Sequence, residues 1–378
     1  MRPPTRTKSL LRHSALLLGL LVSTPSCKRS GGSEAVLRES WNAYVARFIQ
    51  ADGRVIDYRA QQISTSEGQA YAMLRAVWTG DRSVFAKTYA WARNNLGVRG
   101  DHLWAWKWGR AEGGSWGVLD RAFASDAEED AALALILAAR AWGEPQYQVD
   151  ARGILIDLWE KGTLVSGGRR YLLAGDTSCE GTTCRLNPSY CAPYAYRIFA
   201  RDDKERDWMS LVDTSYALLE EDSRLTATGL PTDWILLHAD TGVLGLGSEK
   251  ESRYSYDALR VPWRVALDRS LSGDPRASSL LDRLLAWPRE RWARSQTLPA
   301  IVSREGKAVV EYPSLEMIAA LMPALLESAP DIAETMRRRL QASFKDGIWE
   351  DQDDYYLQNW AWFGTVLYSR KLGVFEVK

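Results

Sequence analysis

The chain has 378 residues, room for one large domain or two ordinary ones. Its 48 basic residues balance 48 acidic ones, which excludes a global field suited to nucleic acid or to an anionic membrane. A hydrophobic content of 46% with 25% charged residues is that of a soluble globular protein with a substantial core.

Residues 1–27 read as an export signal. MRPPTRTKSLLRHS carries the positive charge, ALLLGLLVS is a short apolar run, and TPSC ends on small residues and a cysteine. The run is too short to span a bilayer as a mature helix. Cys27 stands where a lipoprotein carries its lipid, but Thr24-Pro25-Ser26 departs from the usual Leu-led box, so anchored and free forms both stay open. The expected destinations are periplasm, outer membrane or medium. Residues 28–35 are expected to be a linker and 36–378 a single monomeric domain. In an oxidising compartment Cys179 and Cys184, which bracket Glu-Gly-Thr-Thr, suit a disulfide. A metal site that adds Cys191 lacks a fourth ligand, because His13, His102 and His238 lie at no ligand spacing from these cysteines. No metal or organic cofactor is expected.

From residue 34 apolar residues recur at helical spacing. The pattern runs through EAVLRESWNAYVARFI, GQAYAMLRAVW, SVFAKTYAWARNNL, DAALALILAARAW, YQVDARGILIDLWEK and SYCAPYAYRIFA. It continues in RDWMSLVDTSYALLEED, LRVPWRVALDRSL, RASSLLDRLLAWPRERWAR, SLEMIAALMPALLE, DIAETMRRRLQASF and NWAWFGTVLYSRK. Short strands are expected in GGRRYLLAG and SREGKAVVEY, too few to alternate with helices as a parallel sheet requires. The class is therefore all-α. Twelve helices in antiparallel pairs can close as an inner and an outer ring of six, and the absence of a sequence period disfavours a solenoid.

Three acidic positions stand at loop–helix junctions: Glu67 in TSEGQAYAML, the cluster SDAEED with Asp126, Glu128, Glu129 and Asp130, and Asp257 in YSYDALRVPWR. Each could simply complement a helix N-terminus, which is worth up to about 1 kcal/mol at a surface. Their flanks argue for more. Glu67 is followed by Gly-Gln, and Asp257 lies among Tyr254, Tyr256 and Trp263, a costly setting for an unpaired carboxylate. Arg260, three residues on, can face it on the same helical side. In DHLWAWKWGR, Trp104, Trp106 and Trp108 take every second position, as in an extended segment showing three rings on one face. A buried wall and a stacking platform both fit. Seventeen Trp and sixteen Tyr against seven Phe suit a ligand with flat apolar faces edged by hydroxyls, as sugars have.

SEGQAYAML, LWAWKW, LNPSYCAPYAYRIFA, GLPTDWI, YSYDALRVPWR and YYLQNWAWFG resemble, in that order, the signatures of glycoside hydrolase family 8, from about residue 36 to 372. The resemblance implies an (α/α)6 barrel and an inverting endo-acting hydrolase of β-1,4-glucan, with xylan or chitosan as the other family substrates. It implies that Glu67 is the general acid, Asp257 the general base, and Asp126 a third carboxylate that binds and distorts the sugar. Tyr190 matches a tyrosine near the catalytic water, and Arg260 would favour the ionised form of Asp257. Trp104 or Trp106 and Tyr355 or Tyr356 match sugar platforms. Cys191 stands where many members have a large residue, and Glu128 replaces an Asp of the TDADLD pattern, so the substrate is less sharply implied than the acid and base. A catalytically silent barrel in a polysaccharide export system is the reading from another class; the retained Glu67 and Asp257 argue against it.

Overall fold

The computed structural model describes residues 26–376, which hold thirteen α-helices and a few short antiparallel strands. In chain order the helices are α1 (Ser26–Phe48), α2 (Ser66–Thr79), α3 (Arg82–Asn95), α4 (Ser125–Trp142), α5 (Pro145–Lys161), α6 (Pro193–Asp202) and α7 (Trp208–Leu225). They continue as α8 (Arg260–Ser272), α9 (Pro275–Leu284), α10 (Ala286–Ser295), α11 (Leu315–Ala324), α12 (Pro330–Ala342) and α13 (Tyr355–Tyr368).

Packing sorts them into two rings. Helices α2, α4, α6, α8, α11 and α13 follow one another around the inside, and α3, α5, α7, α9, α12 and α1 each pack on one inner helix from outside. The ring closes where Arg75 of α2 donates 3.1 Å to Asn359 Oδ1 of α13 and Tyr71 meets Trp360 edge-on at 6.1 Å. Inner and outer helices differ in pattern as their surroundings demand. The inner α11, LEMIAALMPA, is buried at every position and apolar nearly all round, whereas the outer α12 buries only Ala333, Met336 and Leu340 along one stripe. On α9 the stripe is Ala277, Leu280, Leu281 and Leu284, each buried leucine contributing about 2 kcal/mol. Where α13 crosses α11, a Cβ on Gly364 would lie 2.2 Å from the Ala319 carbonyl oxygen, so only glycine permits that approach.

Three boundaries differ from expectation. The run over 276–294 is broken at Leu285 into α9 and α10, because Pro288 offers no N–H to the Leu284 carbonyl and its ring crowds that turn. The run over 189–200 becomes a single 3-10 turn, Pro188–Tyr190, and then α6, which starts with Pro193 at its first position. Residues 28–35, expected as linker, continue α1 toward its N-terminus, since no proline interrupts the helix after Pro25. The expected export signal and the expected lipid site at Cys27 lie outside the residues whose side chains are described.

Strands decorate the loops. Ser64–Thr65 (β1), Lys107–Arg110 (β2) and Trp116–Asp120 (β3) form one antiparallel sheet, and Thr163–Ser166 (β4) pairs with Arg169–Leu172 (β5). Cys179–Glu180 (β6), Thr183–Leu186 (β7), Ile235–His238 (β8) and Val243–Leu246 (β9) make a four-stranded sheet whose first hairpin carries the Cys179–Cys184 disulfide. The stretch SREGKAVVEY forms isolated bridges only, Val302 pairing with Ala308 and with Tyr254.

Candidate active site

All six inner helices point their N-termini to the same end of the ring. The residues at those starts are Glu67 on α2, Asp126 on α4, Tyr190 just before α6, Asp257 and Arg260 at α8, Glu316 on α11, and Tyr355 and Tyr356 on α13. Each helix start carries partial positive charge, which makes this end tolerant of many carboxylates. A cleft of about 400 Å³ opens there, lined by Glu67, Asp257, Arg260, Tyr256, Tyr355 and Tyr356, with Asp57, Arg59, Ser255, Glu316 and Asp354 completing its walls.

Local sequence explains how Glu67 is aimed. Thr65 caps α2 by accepting from Gly68 N at 3.0 Å, and Ser66 N donates to the Trp106 carbonyl at 3.0 Å. A Cβ on Gly68 would crowd the capping Thr65 Oγ1 at 3.3 Å, while the Tyr355 ring at 3.6 Å would be in ordinary contact. Gln69 accepts from Val55 N at 2.6 Å and donates to the carbonyls of Gly53 and Thr88, which pins the preceding loop. Glu67 is left facing the cleft with a 22% exposed side chain.

Arg260, 1% exposed, organises the acids. Its Nη1 donates 2.9 Å to Glu67 Oε2 and 2.9 Å to Asp126 Oδ2, and its Nη2 donates 2.6 Å to Asp257 Oδ1. Tyr355 donates to the other Glu67 oxygen at 3.0 Å. Burial pushes Glu67 up from 4.5 to about 7; Arg260 pulls it down, while the Asp126 and Asp257 charges add to the rise. Burial likewise raises Asp126, against the pull of Arg260 and Arg264. The Tyr190 ring lies 5.3 Å from the Arg260 guanidinium carbon, and burial holds its hydroxyl well above the ordinary tyrosine range. Arg260 thus holds Glu67 and Asp257 on its two terminal nitrogens, which limits the separation of the bound oxygens to at most about 8 Å.

The acidic cluster at α4 fans out instead of converging. Only Asp126 enters the site. Glu128 accepts from Trp104 N at 2.7 Å, Glu129 accepts from the Tyr196 hydroxyl at 2.5 Å, and Asp130 pairs with Arg264 at 3.2 Å. The three tryptophans do not share one face. Trp104 is 3% exposed and packs on Tyr89 of α3, so it belongs to the wall and offers no platform. Trp108 packs on Trp91 and Trp116. The alternation fails because the segment becomes a strand only at Lys107 and the register shifts between Lys107 and Trp108. Trp106 remains partly exposed, beside Ser66 at the start of α2, with its side chain hydrogen-bonded to Asp120. Tyr355 and Tyr356 both reach the cleft.

Asp233 was not singled out, although it sits in GLPTDWI. It accepts from Ser255 N at 3.0 Å and Ala258 N at 2.9 Å, bracketing Asp257, and burial followed by the Asp257 charge raises it to about 6. Asp57, Arg59, Glu316 and Asp354 were also missed. Arg59 forms ion pairs with Asp354 and Asp351, and the only local signal for Asp354 was its cap on Leu357 N at the head of YYLQ.

Comparison with known proteins follows the same lines. The model of the glycosyl hydrolases family 8 matches residues 15–298. An endoglucanase of Xanthomonas axonopodis pv. citri (strain 306) is 32% identical over 346 residues, 89% of this chain and 87% of that protein. An endoglucanase of Pseudomonas fluorescens (strain SBW25) is 34% identical over 254 residues, 65% of this chain and 63% of that relative's own length. The fold superposes with a TM-score of 0.74 and 26% identity on a crystal structure of an endo-1,4-D-glucanase from Vibrio fischeri ES114, covering 87% of this chain and 94% of that one. Sequence match over most of the chain and a shared helical ring lead to one conclusion: the chain belongs to glycoside hydrolase family 8 and is an endoglucanase-like glycoside hydrolase.

Proposed function

We propose that the protein is an exported, endo-acting hydrolase of β-1,4-glucan that inverts the anomeric carbon, with Glu67 as general acid and Asp257 as general base. The observation that carries this reading is the single guanidinium of Arg260 held between the two carboxylates. Glu67, held near 7, keeps its proton in mildly acidic to neutral solution and can give it to the glycosidic oxygen as the C–O bond breaks. Water attacks the anomeric carbon from the opposite face, and Asp257 takes its proton. Over the cycle one negative charge moves from Asp257 to Glu67, that is, from one end of Arg260 to the other. The local charge stays constant, so the enclosed site need not resolvate a new ion.

Asp126 shares Nη1 with Glu67, which supports a role in holding the sugar beside the proton donor, and the Tyr190 ring 5.3 Å from Arg260 supports a role near the attacking water. Tyr256, Tyr355, Tyr356 and Trp106 supply faces for pyranose rings. The open cleft suits a chain bound along its length, and the activity named for the relatives supports glucan as that chain. Export rests on the N-terminal 27 residues.

The test is a product assay on carboxymethylcellulose, lichenan, xylan and chitosan side by side. The reading expects fastest cleavage of the glucans, with viscosity falling ahead of reducing-end release. Faster turnover of xylan or chitosan would replace the substrate, and no hydrolysis of any would remove the catalytic reading.

A further inference from the structure

Behind Arg260, away from the cleft, runs a polar pair that carries no proton to substrate. Arg260 Nε donates 3.0 Å to Ser189 Oγ, and Ser189 Oγ donates 2.6 Å to Asn187 Oδ1. The same Asn187 oxygen accepts from Ser189 N at 3.0 Å, capping the turn Pro188–Tyr190. Asn187 is 4% exposed and Ser189 fully enclosed. Building on the assignment of Glu67 as proton donor, we infer that Ser189 and Asn187 are positioning residues that aim the Arg260 guanidinium so that it holds Glu67 and Asp126 together.

A hydroxyl has one proton. With that proton given to Asn187, the Ser189 lone pairs must face Arg260, and the hydroxyl acts there as an acceptor only. Without Asn187 the hydroxyl could rotate and point its proton at a cation. The plane of a guanidinium is set once Nε and one Nη have fixed partners, since its five N–H bonds form a rigid fork. Nε has one competing acceptor, the Asp257 carbonyl at 3.2 Å, on the same side as the 2.6 Å contact to Asp257 Oδ1. Removing the Ser189 hydroxyl therefore turns Arg260 toward Asp257 and draws Nη1 away from Glu67 and Asp126. The turn that carries Ser189 also carries Tyr190, whose ring stands 5.3 Å from Arg260, so one Asn cap sets both neighbours of the guanidinium.

The consequence is read at Glu67. The groups facing it are Arg260 from α8, Asp126 from α4, Asp257 from the preceding loop, Tyr355 and Tyr356 from α13 and Tyr44 from α1, with Tyr190 before α6 and Tyr71 on its own helix. Only Arg260 among them is a cation. Its withdrawal leaves burial and the two like charges opposed only by the Tyr355 hydrogen bond, so the Glu67 midpoint rises.

Titration of Glu67 by carboxyl-carbon NMR tests this without any substrate. Ser189→Ala and Asn187→Ala are each expected to raise the Glu67 midpoint by about one pH unit. The double variant should fall well short of the sum of the two shifts, because Asn187 reaches Arg260 through the Ser189 hydroxyl and only its cap on Ser189 N outlasts Ser189→Ala. Ser189→Thr keeps the hydroxyl and should return the midpoint to that of the parent. With carboxymethylcellulose the alkaline limb of kcat/KM should move with the midpoint, and kcat should fall about tenfold with little change in KM. An unmoved midpoint in Ser189→Ala, or shifts that add in the double variant, overturns the inference. If Ser189→Ala does not fold, Asn187→Ala with Ser189→Thr reads the same contrast. A parent protein that hydrolyses no glucan would instead sink the functional reading, while the NMR midpoints would still decide the positioning.

Discussion

Replacing Glu67 with Gln separates chemistry from stability. Gln has nearly the same shape and its Oε1 can still accept from the Tyr355 hydroxyl, 3.0 Å from the glutamate, but its Nε2 then faces Arg260 Nη1 donor to donor, a cost that does not vary with pH. It has no proton to give, so hydrolysis of carboxymethylcellulose should fall about 10³-fold. Stability relative to the parent should move the other way as pH rises. Glu67 is held near 7 in the folded chain against 4.5 when free, so the folded state binds the proton more tightly than the unfolded one. The parent protein therefore loses stability as pH rises from about 4.5 through about 7, by up to about 3 kcal/mol once both values are passed. Gln cannot ionise and escapes that loss. Between pH 4 and pH 8 the Tm of the variant relative to the parent should therefore rise by up to about 4 °C for a chain of this size, on top of a constant offset from the lost Arg260 contact. Thermal unfolding at the two pH values, run beside the activity assay, measures both effects. A Tm difference that is the same at both pH values, or activity that survives the substitution, would refute the reasoning.

Four further outcomes are expected. Proton NMR of early products from a β-1,4-glucan should show the α-anomer first, and an initial β-anomer would rule out inversion. Asp233→Ala frees the Ser255 and Ala258 amides that bracket Asp257, and kcat should fall about 10²-fold with KM nearly constant; an unchanged kcat would show that Asp257 needs no such anchor. Trp104→Ala should cost about 3–5 kcal/mol in urea unfolding, because a buried ring leaves a cavity. Trp106→Ala should instead raise KM with a much smaller loss of stability, and the reverse pattern would exchange the two roles.

The helical class and the pairing of helices were legible from residue 34 onward, because amphipathic spacing is a local property of each segment. Proline set the two boundaries that spacing alone misplaced, at Pro193 and upstream of Pro288. Glu67, Asp126 and Asp257 were visible as acids at helix starts with unusual neighbours. The contact of Arg260 with Asp257 was visible too, since residues three apart in the turn that leads into α8 come side by side. The other two partners of Arg260, Glu67 and Asp126, lie 193 and 134 residues away, and nothing local selects them. The sequence by itself determined a helical chain with acids poised at helix N-termini and rings enough for a sugar. Tertiary structure alone decided which acids meet, why Glu128, Glu129 and Asp130 turn aside, that Trp104 is wall, and that Ser189 and Asn187 stand behind Arg260. Those choices depend on how six inner helices bring their starts to one end of the ring, and that direction is set by packing across the whole chain.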